Sequence, residues 1–219
     1  PRDLSEIIGQ DHLLGEHAPL RQMIDQGHLP SIIFWGPPGV GKTTIALLLA
    51  QAIDRPFVSL SALNTGVKEL REIIADGGDL MPPVVFIDEI HRFNKSQQDA
   101  LLNAVEKGKI TLIGATTENP SFEVNSALLS RCQVYTLNSL DADAIQTLIN
   151  RAIQTDSFLK KRHIQIEEYD ALVQFAAGDA RKALNLIDLI ASTFEADMEN
   201  IITNAVVVKV AQQNIARYD

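Results

Sequence analysis

Five short apolar runs, rich in β-branched and aromatic residues, punctuate the first part of the chain: Ser31–Trp35, Phe57–Leu60, Val84–Ile87, Ile110–Ile113 and Gln133–Leu137. Runs this short and this apolar read as strands buried on both faces. Helical patterns lie between them. The clearest follows Lys42, where Ile45, Leu48, Leu49, Ala52 and Ile53 fall at i, i+3, i+4, i+7 and i+8 and line one face. Strands alternating with helices predict an α/β fold with a parallel sheet covered on both sides.

Beyond Leu137 the pattern turns helical: Asp141 to about Thr155, Glu167 to Ala177, and Asp179 to about Phe194. A small helical domain is expected there. Asn138-Ser139-Leu140-Asp141 offers a helix cap, so the boundary is set between residues 1–138 and 139–219. Ile201 to Asp219 is read as helix from its context, against the β-branched composition of residues 205–210. The stretch Asp76-Gly77-Gly78-Asp79 leading to Pro82-Pro83 is the conspicuous Gly/Pro insertion.

Composition narrows the classes. A chain of 219 residues, 46% hydrophobic, can bury a core without cross-links. The single cysteine, Cys132, excludes an internal disulfide framework and a cysteine-based zinc site and fits a reducing compartment. The histidines at 12, 17, 28, 91 and 163 include no i, i+4 ligand pair, so no structural metal is expected. No apolar run approaches the roughly 18 residues of a membrane span, and Pro1-Arg2-Asp3 does not open a signal peptide. A soluble, cytoplasmic protein with no membrane partner is expected. The net charge of −9 is spread evenly: residues 1–140 carry 11 Lys+Arg against 16 Asp+Glu, and residues 141–219 carry 8 against 12. Neither part is a basic arm, which argues against a broad nucleic-acid surface but not against a local groove.

The chemistry enters with Gly36-Pro37-Pro38-Gly39-Val40-Gly41-Lys42-Thr43-Thr44, which follows the first strand directly and opens the amphipathic helix. It matches G-x-x-x-x-G-K-[ST] in the strand–loop–helix setting that phosphate binding requires. Its glycines let backbone N–H groups turn inward, and the helix N-terminus adds partial positive charge. Lys42 would reach the β- and γ-phosphates of ATP and Thr43 would ligate Mg²⁺. The run at 84–87 ends in Asp88-Glu89, carboxylates at the strand edge where open α/β sheets bind ligands. Asp88 suits Mg²⁺, directly or through water, and Glu89 suits polarising the attacking water. By itself the pair also reads as a solvated strand end capping the next helix. Gly114-Ala115-Thr116-Thr117 ends the following strand with hydroxyls able to read a γ-phosphate, or with an ordinary polar terminus. Arg131 just before the last strand and Arg181 at the start of a helix are candidates for transition-state charge, although surface arginines are usually solvated.

The ordered set Ile7-Ile8-Gly9-Gln10, GPPGVGKT at 36–43, VVFIDE at 84–89, GATT at 114–117, SRC at 130–132 and GDARKALN at 178–185 resembles an AAA+ ATPase of the clamp-loader branch. More narrowly, FIDEIHRFNKSQQDALLNAVEKG, IGATTENPSFEVNSALLSR and GDARKALNLID resemble the RarA/MgsA family of replication-associated recombination ATPases, related to the Werner helicase-interacting protein. The likeness runs over about residues 1–195. It implies a P-loop fold with sheet order 5-1-4-3-2 and a helical lid. It further implies Lys42 and Thr43 as Walker A, Asp88 and Glu89 as Walker B, and Thr117 as sensor 1 with Thr116 as the fallback. Arg131 would be the finger acting on a neighbour's ATP, Arg181 sensor 2, and Ile7 and Ile8 the residues flanking adenine. The family also implies a homo-oligomer, a tetramer or ring, with partners at replication forks or single-stranded gaps: DNA, single-stranded-DNA-binding protein and replisome components. A bacterial member would be nucleoid-associated. Family members continue past this length, so a C-terminal oligomerisation region is expected to be missing. A Holliday-junction branch-migration motor or a clamp-loader subunit shares the same core. A non-hydrolysing assembly subunit is the reading of another class, disfavoured by the intact Lys42, Glu89 and Arg131.

Three other signals carry less. Asp88-Glu89-Ile90-His91 spells a DExH box, but a second helicase lobe does not fit in the remaining length. Lys160-Lys161-Arg162-His163 is a compact basic cluster, more in keeping with a solvated loop than with phosphate contacts. Cys132 beside Arg131 reads as a small buried filler rather than a redox-active thiol.

Overall fold

The apolar runs become β1 (Ile32–Trp35), β2 (Phe57–Ser61), β3 (Val84–Asp88), β4 (Thr111–Thr116) and β5 (Gln133–Thr136). They pair in parallel in the order β2-β3-β4-β1-β5, the order that the resemblance implies. The computed structural model describes residues 1–62, 67–76, 81–195 and 198–215. Gly77, Gly78 and Asp79 of the Gly/Pro insertion, and residues 216–219 of the last expected helix, lie outside them.

Two units divide the chain, Pro1–Asn138 and Ser139–Asp219. In the first, alternation along the strands sends side chains to opposite faces of the sheet. Ile32, Phe34, Val84, Phe86, Ile113 and Ala115 join Ile45, Leu48 and Leu49 of the helix Lys42–Ala52 and leucines 4, 13, 14 and 20 of the N-terminal segment. Ile33, Val85, Ile87 and Leu112 pack on the other face with Leu70 and with Leu101 and Ala104 of the helix Lys95–Glu106. Burial of β1, β3 and β4 from both sides is what their apolar composition requires. That leaves the carboxyl ends of the strands as the place where polar loops gather.

In the second unit the helices Ala142–Thr155, Asp170–Ala176, Ala180–Ser192 and Asn204–Ile215 bury one stripe each, with Ile145, Ile149, Leu172, Ile187, Ile190 and Val207 fully enclosed. The unit is mainly helical, with one addition. Strands β6 (Ile164–Ile166) and β7 (Asn200–Ile202) form a small parallel sheet. Residues 200–202 therefore correct the expectation of continuous helix from Ile201: the helix begins only at Asn204, whose side-chain oxygen accepts the N–H of Ala171 at 2.8 Å. The helix expected from Glu167 likewise begins at Asp170, because the N–H of Glu167 goes to the carbonyl of Ile202 at 3.0 Å. Among the described residues no helix is long and apolar enough to cross a membrane.

Candidate functional site

Trp35 ends β1 level with Thr116 of β4, and the chain then curls through residues 36–41 into the helix Lys42–Ala52. Gly39 and Gly41 adopt φ of 70° and 98°, the left-handed region where glycine is unstrained. Gly36 is needed for another reason. A Cβ there would stand 2.5 Å from the carbonyl oxygen of Leu137, while the Gly36 N–H donates to the carbonyl of Thr116 at 3.1 Å. The loop is thus anchored between β4 and the end of β5. Lys42 Nζ donates to the carbonyls of Gly36 and Pro37, both at 2.7 Å, so the ammonium lies across the loop. Thr43 is exposed on the first helical turn and Thr44 half-buried, while Pro37 and Pro38 face outward to differing degrees.

Val40 is buried and shares the core cluster with Leu4 and the partly buried Ile7; Ile8 is half-buried beside it. A residue quoted in the resemblance but given no role there fixes this N-terminal segment. Gln10 is buried, donates through Nε2 to the carbonyl of Asn138 at 2.8 Å and accepts the Asn138 N–H at 3.1 Å. His12 Nε2 lies 2.8 Å from the carbonyl oxygen of Thr136. Both tie residues 7–12 to the end of β5, at the same edge of the sheet as the phosphate loop.

Asp88 closes β3 at that edge and is exposed; its Oδ1 accepts the N–H of Glu89 at 3.1 Å. Glu89 sits at φ 55°, a left-handed conformation that costs a non-glycine residue about 1–3 kcal/mol and is typical of functional positions. Its Oε2 accepts from Arg92 Nε at 2.6 Å. Next to β3, Thr116 is buried, and its hydroxyl is engaged by His91 Nδ1 at 2.9 Å and by the N–H of Glu118 at 3.0 Å. Thr117 is exposed. The structure therefore gathers the loop 36–44, the carboxylates 88–89, the hydroxyls 116–117 and residues 7–8 at one edge of one sheet. His91, set aside in sequence with the DExH box, bridges the ends of β3 and β4; its position two residues after Glu89 was the available signal.

Arg131 lies at the other edge. It precedes β5, which runs level with β1 from Gln133 beside Ile32 to Thr136 beside Trp35. Four residues of strand, roughly 13 Å, separate its level from that of the phosphate loop. Its guanidinium is turned to Glu106, with Nε at 3.1 Å and Nη2 at 2.9 Å from Oε1. Arg131 is thus not gathered with the other candidates of its own chain. Arg181 belongs to the second unit, exposed on the first turn of the helix Ala180–Ser192, where buried Asp179 caps by accepting its N–H at 2.8 Å.

The lesser signals resolve structurally. Arg162 lies 4.9 Å over the ring of Phe158 and donates to the carbonyl of Phe194, so the basic cluster at 160–163 is a turn into β6 with its arginine committed locally. Cys132 is largely enclosed, and burial pushes its thiol up to about 12.

The oxygen donors of Thr43 and Asp88 are both exposed at the loop edge and are the hard ligands that Mg²⁺ prefers, so this donor set fits the ion.

Residues 32–140 match the family model described as ATPase family associated with various cellular activities (AAA), and residues 159–219 match the AAA C-terminal domain. Over its whole length the chain is 45% identical to replication-associated recombination protein A of Coxiella burnetii and 42% identical to that of Escherichia coli K12. The chain spans about half the length of these relatives, 51% in each case. The ATPase WRNIP1 of Dictyostelium discoideum is 44% identical over 86% of the chain, which covers 22% of that protein. Among solved structures, the Thermotoga maritima RuvB Holliday junction branch migration motor superposes with a TM-score of 0.81 at 26% identity, covering 97% of this chain and 72% of the other.

Proposed function

The chain belongs to the AAA ATPase family, among the replication-associated recombination proteins, and on that premise we propose that it binds Mg-ATP at residues 36–44 and hydrolyses it in an oligomer that acts on DNA. The observation that carries this reading is the common edge shared by the phosphate loop and the two carboxylates, with Arg131 held at the opposite edge.

In this reading the loop N–H groups and Lys42 hold the triphosphate, replacing the carbonyls that Lys42 now contacts with phosphate oxygens. Ile7, Ile8 and Val40 form the apolar side on which adenine rests. Thr43 and Asp88 hold Mg²⁺, which when bound neutralises charge on the β- and γ-phosphates. Glu89, leaving Arg92, orients the water and accepts its proton. Thr117 is the sensor hydroxyl, because that of Thr116 is already engaged by His91 and Glu118. Arg131 completes the site of a neighbouring copy, since it does not stand at its own, and Arg181 responds to nucleotide from the helical unit. The energy released serves replication-linked recombination in the cytoplasm, at forks or single-stranded gaps. The likeness to a branch-migration motor supports a DNA-acting oligomer as well, but at lower identity than the recombination proteins.

The test is kinetic. Lys42→Ala should lose ATP binding, whereas Glu89→Gln should bind ATP and turn over at least about 10²-fold more slowly. Arg131→Ala and Glu89→Gln subunits, each slow alone, should regain activity when mixed. Normal turnover in Glu89→Gln would refute its assignment, and no recovery at any mixing ratio would refute the shared site.

A further inference from the structure

The Arg131 contact is more specific than a chance surface pairing. A guanidinium carries five N–H donors in a planar fork. Glu106 Oε1 takes two of them, one on Nε and one on Nη2, which leaves three, two on Nη1 and one on Nη2, beyond the reach of that oxygen. One of them on Nη1 and the one on Nη2 line the end of the fork that matches two oxygens of a phosphate, while the second on Nη1 turns back toward Cδ.

The backbone of Arg131 is held from the same helix that supplies Glu106. Gln98, buried on the helix Lys95–Glu106, donates to the carbonyl of Glu123 at 3.1 Å and accepts the N–H of Asn125 at 2.7 Å. Asn125 in turn donates to Asp99 at 3.3 Å and accepts the N–H of Leu128 at 2.7 Å, and the carbonyl of Leu128 accepts the N–H of Arg131 at 3.0 Å. One helix thus fixes both the main chain and the side chain of the arginine. The pair also borders a cavity of about 660 Å³ at this edge, lined by Ser31, Arg55 and Thr111 among others, so there is room beside the guanidinium for an incoming group. Arg55, the other cation there, is turned to the carbonyl of Pro82 and the hydroxyl of Thr111.

We propose that Glu106 is a positioning residue for Arg131. Its carboxylate grips the Nε side of the fork and presents the Nη end to the γ-phosphate bound by a second copy of this chain. The proposal rests on the shared-site reading above and adds to it the residue that pre-organises the donor. A fork already oriented has less rotamer freedom to lose when it meets phosphate.

The decisive experiment places the change in one partner only. In the full-length protein, Arg131→Ala subunits supply the hydrolysing site and Glu89→Gln subunits supply the arginine. When the arginine donor also carries Glu106→Ala, turnover of the mixture should fall by about two- to fivefold, the range expected for an exposed ion pair, with KM for ATP unchanged. Glu106→Gln, which keeps an oxygen acceptor, should restore part of the rate. Glu106→Ala should have no further effect on subunits that already lack Arg131. Equal turnover with and without Glu106→Ala in the donor would overturn the proposal, as would an equal loss in the Arg131→Ala background. A mixture that recovers no activity even with Glu106 intact would overturn the shared site and this proposal together.

Discussion

Replacing Gly36 with alanine adds one methyl where β1 hands over to the phosphate loop. The new carbon would lie 2.5 Å from the carbonyl oxygen of Leu137, and carbon–oxygen contacts normally begin at about 3.3 Å. The strand ends must then part by about 0.8 Å, which stretches the bond from the Leu137 N–H to the Trp35 carbonyl from 2.8 Å to about 3.6 Å, outside hydrogen-bonding range. Gly36 cannot simply tilt away, because its own N–H is held by Thr116 at 3.1 Å. One lost bond at buried Leu137, added to the overpacking, amounts to about 2–3 kcal/mol. For a chain of this size that is a drop in melting temperature of about 4–12 °C. Gly108→Ala is the control: nothing lies within 4 Å of its Cβ position, so only the left-handed backbone at φ 66° is charged, about 1 kcal/mol. The assay is thermal unfolding followed by circular dichroism, with binding of a fluorescent ATP analogue measured on the folded variant. A Gly36→Ala protein that melts within about 2 °C of the parent would refute the close approach on which this reasoning stands.

Two further outcomes are expected. Because burial raises the Cys132 thiol to about 12, the thiolate is a minor species at pH 8, and alkylation of the folded protein should run about 10³-fold slower than for an exposed thiol and speed up as pH rises; fast labelling under native conditions would contradict its enclosure. Asp179→Ala removes the buried carboxylate that accepts the N–H groups of Arg181 and Lys182 and should cost about 1–2 kcal/mol in chemical denaturation, with Asp179→Asn retaining most of the cap; an unchanged midpoint would show the cap to be idle.

The sheet was legible in the sequence because strands buried on both faces leave an unbroken apolar signature, as Val84–Ile87 and Ile110–Ile113 do. β6 and β7 were not, since three residues apiece are too few to set a period, and Ile201 and Ile202 merged with the apolar run that follows. That run, residues 205–210, is helical because Val207, Val210 and Ala211 are buried along one side of the helix, so packing overrides β-branched preference. At the site, the phosphate loop and the carboxylates announce themselves by local spacing. Gln10, His91 and Glu106 do not, because each acts through one side chain on a residue 128, 25 or 25 positions away.

If Arg131 serves the ATP of a neighbouring copy as proposed, its place at one edge of the sheet and that of residues 36–44 at the other give the chain a donor side and an acceptor side. Copies joined through such unlike faces would follow one another head to tail, closing into a ring or running on as an open row. In an open row the last acceptor always goes without its arginine, and only closure supplies it. On that reading turnover per subunit should climb as rows lengthen and step upward when a ring forms, which would make assembly itself the switch that commits ATP.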